Sequence, residues 1–312
     1  MQMKHGAVTA ALIGNSLIAT AKFTAAIITN SSSMLAESLH SLADVGNQVL
    51  LLVGINRSKR PPDAEHPFGY GKERYFWAFL VAVSLFFVGA VFSIYKGVEG
   101  LVHPRHLQDP VVNYIVLGLS VLFELYSLRA ALHELKQYRQ TALLRDLRNV
   151  KDPTLLVVLF EDSAALLGII FAGLGVFLSH ISGNPFFDAV ASILIGLVLA
   201  SVAFYLARNT MVLLIGRAAS AHHRSLIEDA VKQVPEVGEL LEVLTMHVGP
   251  DQILVNLHVN FKDGLDTCRL ENAVDKVEKN IRAAVPEVGR IFVEAESLRK
   301  GKPKPAAGEK PN

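Results

Sequence analysis

A single cysteine, Cys268, stands among 312 residues, so no disulfide can form within the chain, and this usage fits a reducing compartment. Charge is scarce too: 19% of residues are Asp, Glu, Lys or Arg, the net charge is +1, and no long basic tract occurs. A nucleic-acid partner is therefore not expected, because phosphate binding takes a concentrated excess of Lys and Arg. Nor is a cleavable leader evident, since the first apolar stretch has neither a basic start nor a small-residue exit, and it is expected to be retained. What fills the chain instead is apolar length. Half of it (51%) is hydrophobic and its mean hydropathy is positive, which is unusual for a soluble domain of this size.

Apolar stretches of about 20 residues, enough to cross a bilayer as helix, fall near Ala7–Thr29, Met34–Ile55, Tyr75–Val98, Val111–Leu132, Thr154–Leu178 and Phe186–Leu206. Basic residues gather in two of the connections, as Arg57, Lys59, Arg60, Lys72 and Arg74, and as Lys136, Arg139, Arg145, Arg148 and Lys151. The turns at 30–33 and 179–185 have no Lys or Arg, and 100–110 has only Arg105. Positive loops remain cytoplasmic, which predicts six transmembrane helices with both termini inside.

Beyond Arg217 hydropathy collapses. "HHRSLIEDAVKQVPEV" has helical spacing, "QILVNLHVNF" alternates with Ile253, Val255, Leu257, Val259 and Phe261 on one face, a helix is predicted over about Thr267–Val285, and "RIFVEA" reads as a strand. The expectation is a transport domain at 1–210, a cytoplasmic α+β domain of ferredoxin-like αββαβ order at 211–298, and a Lys/Pro/Gly-rich disordered tail at 299–312.

The second span, "SMLAESLHSLADVGNQVLLLVG", carries Glu37, His40, Asp44 and Asn47 in a narrow arc of one helix face. Ionisable groups at membrane depth cost at least a few kcal/mol, so they face a partner, a cavity or an ion. His-x-x-x-Asp brings an imidazole nitrogen and a carboxylate oxygen to one point, which suits a borderline divalent metal such as zinc. In the fifth span Glu161 and Asp162 are the only formal charges, about 100° apart around the helix. His40, Asp44, Asp162 and Glu161 then form a candidate metal set. The competing reading is an interhelical hydrogen-bond network, but so many carboxylates without a cation would repel one another.

"LAESLHSLAD", followed by "DAEHPFGYGKER" in the next loop, resembles the cation diffusion facilitator family of metal/proton antiporters, and the resemblance extends over the whole chain. It implies a homodimer in a lipid bilayer that exports Zn(II) or a related divalent ion through a four-ligand site between the second and fifth spans. The family's ligand four residues before the fifth-span Asp is replaced here by Val158, so that either Glu161 substitutes or the site has three protein ligands. The loop motif matches a second metal position of some relatives at Asp63 and His66, with Tyr70 where a third ligand would fall. His247, His258, Glu294 and Glu296 lie where relatives place ligands in the cytoplasmic domain.

Lys22 and Asn15 share a face of the first span and Glu124 lies within the fourth. A Lys22–Glu124 ion pair is the structural expectation, with Glu124, Glu37 and Asn47 as alternative proton-carrying or outer-sphere groups. Metal needs neutral imidazole and ionised carboxylates, so protons compete with it for the same atoms, and that competition would drive exchange as the bundle rocks. One imidazole among carboxylates would also admit Mn(II), Fe(II) or Co(II). The other classes weighed are an intramembrane zinc-dependent hydrolase, with Glu161 as base, and a metal sensor. The host membrane is expected to be a bacterial inner membrane, with an organelle membrane as the alternative.

Overall fold

The computed structural model describes residues 5–104, 109–137 and 152–296. The basic positions Arg105, Arg139, Arg145, Arg148 and Lys151 and the expected tail at 299–312 lie outside the described residues. The chain divides into two compact units at Ile215/Gly216.

The first unit is a helical bundle of α1 (His5–Thr29), α2 (Ser32–Ser58), α3 (Glu73–Val102), α4 (Pro110–Gln137), α5 (Pro153–Ser182) and α6 (Phe186–Ile215). Among the described residues, five helices, α2 to α6, are long and apolar enough to cross a membrane. Their ends are written locally. Asn30 adopts φ 54° to separate α1 from α2, whose cap Ser31 accepts a bond from Met34 N. Asp152 caps α5 ahead of Pro153, and Gly183 ends it in the left-handed region at φ 66°. Arg74 at the start of α3 donates to Asp152 Oδ2 (2.6 Å) and Thr154 Oγ1 (3.2 Å), fastening these two helix starts together.

Helix α3 passes through a π-helical stretch at Leu85–Val91. Beyond it α3 meets α6 at very close range, since a Cβ on Gly97 or Gly196 would collide with the opposing backbone and with Ile193 or Ile94. The bundle core joins Met34, Leu85, Leu156, Ile195, Leu199 and Leu206, while Leu17, Leu122, Ile181 and Phe204 point outward. That outward greasiness is the pattern of a surface solvated by lipid tails rather than water.

The second unit runs α7 (Ala221–Lys232), β1 (Val237–Gly249), β2 (Gln252–Phe261), α8 (Thr267–Ala284) and β3 (Val288–Ala295). Its sheet has the order β1-β2-β3, with β1/β2 antiparallel and β2/β3 parallel. Ile253, Val255, Leu257 and Val259 are fully buried along one face of β2, against Ile227 and Val231 of α7 and Ala273, Val277 and Ile281 of α8. Leu244 and Phe292, on the other parity, are about half exposed.

Candidate metal centre

Helix α2 packs against α1, α3, α5 and α6, so the polar stripe along it faces the inside of the bundle. Its residues 33, 37, 40, 44 and 47 follow alternating steps of four and three and therefore stack along one face. Ser33, Glu37, His40 and Asn47 are fully buried. The Asp44 side chain retains 13% exposure.

His40 Nδ1 stands 3.4 Å from Asp44 Oδ1. Among the described residues, neither ring nitrogen of His40 has a hydrogen-bond partner, and Asp44 Oδ1 and Asn47 Oδ1 are likewise unpaired. Leaving several buried polar atoms unpaired costs on the order of 1–3 kcal/mol each. These unpaired atoms are concentrated on one face of α2. Across the interface with α5, Glu161 accepts from Asn47 Nδ2 at 2.6 Å and lies within hydrogen-bonding reach of the Asp44 carboxyl.

Asp162 takes another direction. Its Oδ2 accepts from Ser127 Oγ of α4 at 2.7 Å, with Glu124 nearby. The helical angle between consecutive residues is responsible: when Glu161 faces α2, Asp162 faces α4. Among the described residues, no three His, Cys, Asp or Glu side chains stand close enough together to hold an ion.

The expected Lys22–Glu124 pair is corrected by the structure. Lys22, fully buried, donates to Glu37 Oε2 at 3.0 Å and to Ser41 Oγ at 2.8 Å. A residue's nearest oppositely charged partner is set by helix rotation and neighbours, and α1 packs closely on α2 along this stretch. Asp188 of α6, which the sequence reading did not single out, is another buried acid: it accepts from Ser31 Oγ (2.7 Å), Ser33 Oγ (2.5 Å) and Ser32 N (2.6 Å) at the first turn of α2. The available signal was an Asp at the head of an apolar span facing a run of three serines.

In the loop between α2 and α3, Asp63 Oδ1 accepts from Glu65 N and His66 N, and Oδ2 accepts from Tyr70 OH at 2.6 Å. The Tyr70 bond, then that from His66 N, holds the Asp63 carboxyl below the usual carboxylate range, and the same contact raises the Tyr70 phenol. Both Asp63 oxygens are thus engaged in shaping the loop, and His66 stacks on Tyr70 with ring centroids 4.2 Å apart.

In the second unit His258 Nε2 is 3.5 Å from Glu294 Oε2 and its Nδ1 is 3.3 Å from Glu296 Oε2, so the two carboxylates take opposite nitrogens of one ring. His247 is not among them. It is buried and stands opposite Ile253 in register, whereas His258 stands opposite Glu242. At Glu236 the Lys276 ammonium holds the carboxyl below its ordinary range.

An apolar bundle enclosing a row of ionisable side chains, followed by a small α/β unit, defines a polytopic membrane protein. Residues 8–215 match the family described as the cation efflux transmembrane domain, and the chain belongs to that family of transporters, which are not enzymes. The mouse (Mus musculus) protein "Proton-coupled zinc antiporter SLC30A9, mitochondrial" is 33% identical over 257 residues, covering 81% of this chain and 45% of the mouse protein. "Metal tolerance protein C4" of Arabidopsis thaliana is 29% identical over 337 residues, covering 94% of this chain and 74% of the plant protein. "Cation-efflux pump FieF" of Escherichia coli is 26% identical over 272 residues, covering 87% and 85%. The chain spans about half the length of the animal relatives it matches.

Proposed function

We propose that the protein is a divalent cation efflux transporter that exchanges Zn(II) for protons by alternating access. One observation carries this reading: among the described residues neither ring nitrogen of the fully buried His40 has a hydrogen-bond partner, and its Nδ1 stands 3.4 Å from Asp44 Oδ1, which has none either. A buried imidazole and carboxylate left incomplete in this way fit an ion that comes and goes. In the proposed cycle His40 and Asp44 engage the ion first, Glu161 joins across the α2–α5 interface, and Asp162 turns from Ser127 to complete the shell. Protons arriving from the far side occupy the same imidazole and carboxylate atoms and favour release. The names of the mouse, Arabidopsis and E. coli relatives, a zinc antiporter, a metal tolerance protein and a cation-efflux pump, support this class of cargo.

A shell with one imidazole and several carboxylates is harder than an all-nitrogen one, which favours Mn(II), Fe(II) or Co(II) as the second reading. The topology proposed with it has six spans, α1 included, both termini in the cytoplasm, the transport domain at 1–210 and a ferredoxin-like cytoplasmic domain at 211–298. We further propose a homodimer, supported by the half-exposed Leu244 and Phe292 on the sheet face away from α7 and α8, and either a bacterial inner membrane or an organelle membrane as host. The test is purified protein in sealed liposomes under a panel of divalent ions. Zinc uptake accompanied by counterflow of protons is the expected result, and metal binding without transport would reject the proposal.

A further inference from the structure

Resting on the reading of His40 and Asp44 as cargo ligands, we propose that Glu37 is a second cation station, one helical turn from His40 toward the N-terminal end of α2. The Lys22 ammonium fills this station in the present conformation, and a departing divalent cation takes it over when Lys22 withdraws.

The pair is buried completely but satisfied only in part. Glu37 and Lys22 both have 0% side-chain exposure. Glu37 Oε2 receives the Lys22 ammonium at 3.0 Å, while Oε1, equally buried, has no hydrogen-bond partner among the described residues. Oε1 lies instead against Gly168 of α5, where the approach leaves no room for even a methyl group on the glycine. The carboxylate is therefore wedged between α1 and α5, with Oε2 held by Lys22 and Oε1 unpaired among the described residues. Lys22 has three donors, and its hydrogen bonds among the described residues are those to Glu37 and Ser41.

A structural bridge would look different. Burying two charges is repaid only when geometry is good and the remaining lone pairs and protons are satisfied. Here a hydroxyl and a carboxylate surround a cation, which is also the hard-oxygen chemistry that accepts a divalent metal. Position supports the same use. Glu37 and His40 are three residues apart on the stripe, and Ser41 directly follows His40, so the Lys22–Glu37 pair is next to His40 on the side toward Ser33. Ammonium is a compact charge on a flexible four-carbon stem, so its position can change by side-chain rotation. Exchange of a tethered cation for a mobile one keeps Glu37 compensated at each step.

The full-length chain in lipid nanodiscs, titrated with Zn(II) by calorimetry, tests the station. Lys22→Met is expected to bind one more Zn(II) per chain than the parent, and Lys22→Met combined with Glu37→Gln is expected to lose that extra ion. Unchanged stoichiometry in a folded Lys22→Met protein, or an extra ion indifferent to Glu37→Gln, would overturn the proposal. Should Lys22→Met fail to insert, Glu37→Gln with Lys22 retained decides. Its Zn(II) turnover in liposomes is expected to fall about tenfold with affinity near that of the parent, a change of about 1.4 kcal/mol in the barrier; unaltered turnover overturns it. Failure of the underlying site is read separately, as undiminished Zn(II) affinity in His40→Ala.

Discussion

Glu161 and Asp162 are adjacent in sequence, yet their side chains belong to different neighbourhoods. Glu161 accepts from Asn47 beside Asp44, and Asp162 accepts from Ser127. If Glu161 is the fourth ligand, Glu161→Gln should cost about tenfold or more in zinc affinity, as loss of a charged oxygen from an ion does. Asp162→Asn should then cost no more than that, because Asp162 must first leave Ser127. Val158→His added to Glu161→Gln would rebuild the family's usual pair and should recover binding. Calorimetric titration of the three proteins checks the set, and wild-type affinity in Glu161→Gln would leave a three-ligand site completed by water.

At the scale of elements, the loop between α2 and α3 is a closed turn whose keystone is Asp63. Its carboxylate collects the Tyr70 hydroxyl and two backbone N–H groups, which is why its acidity is enhanced in the folded loop. A carboxyl with a depressed folded pKa contributes order that is fully present above its ordinary value, about 3.9, and is lost as pH falls through the folded one. Tyr70→Phe removes the leading cause, so the Asp63 carboxyl should titrate at higher pH in that variant. NMR of the labelled carboxyl in detergent micelles reads it directly. An unchanged titration would mean that the backbone donors alone set its acidity. The α2–α5 and α3–α6 interfaces obey a different rule, in which Gly168, Gly97 and Gly196 are small because an opposing atom already occupies the space.

For the whole molecule, the lone cysteine is a ready reporter. Cys268 is exposed at the start of α8 in the second unit. If both termini are cytoplasmic, a membrane-impermeant maleimide should label Cys268 in inside-out vesicles and spare it in sealed right-side-out vesicles until detergent is added. Equal labelling from both sides would reject the fixed orientation that the basic loops predict.

The apolar lengths and the alternation of β2 were legible in the sequence, because they depend on backbone geometry over a few neighbouring residues. So was the stripe of Glu37, His40, Asp44 and Asn47, since 3.6 residues per turn fixes which side chains of one helix stack. What the sequence could not contain was the rotation of one helix against another. That rotation gave Lys22 to Glu37 rather than to Glu124 and turned Asp162 toward Ser127. It also set Asp188 at the head of α2, while strand register put His247 opposite Ile253 and His258 opposite Glu242. Pairing across helices and strands is decided by the packing of whole faces, in which a single charge is a small contribution beside the many apolar contacts that set the register.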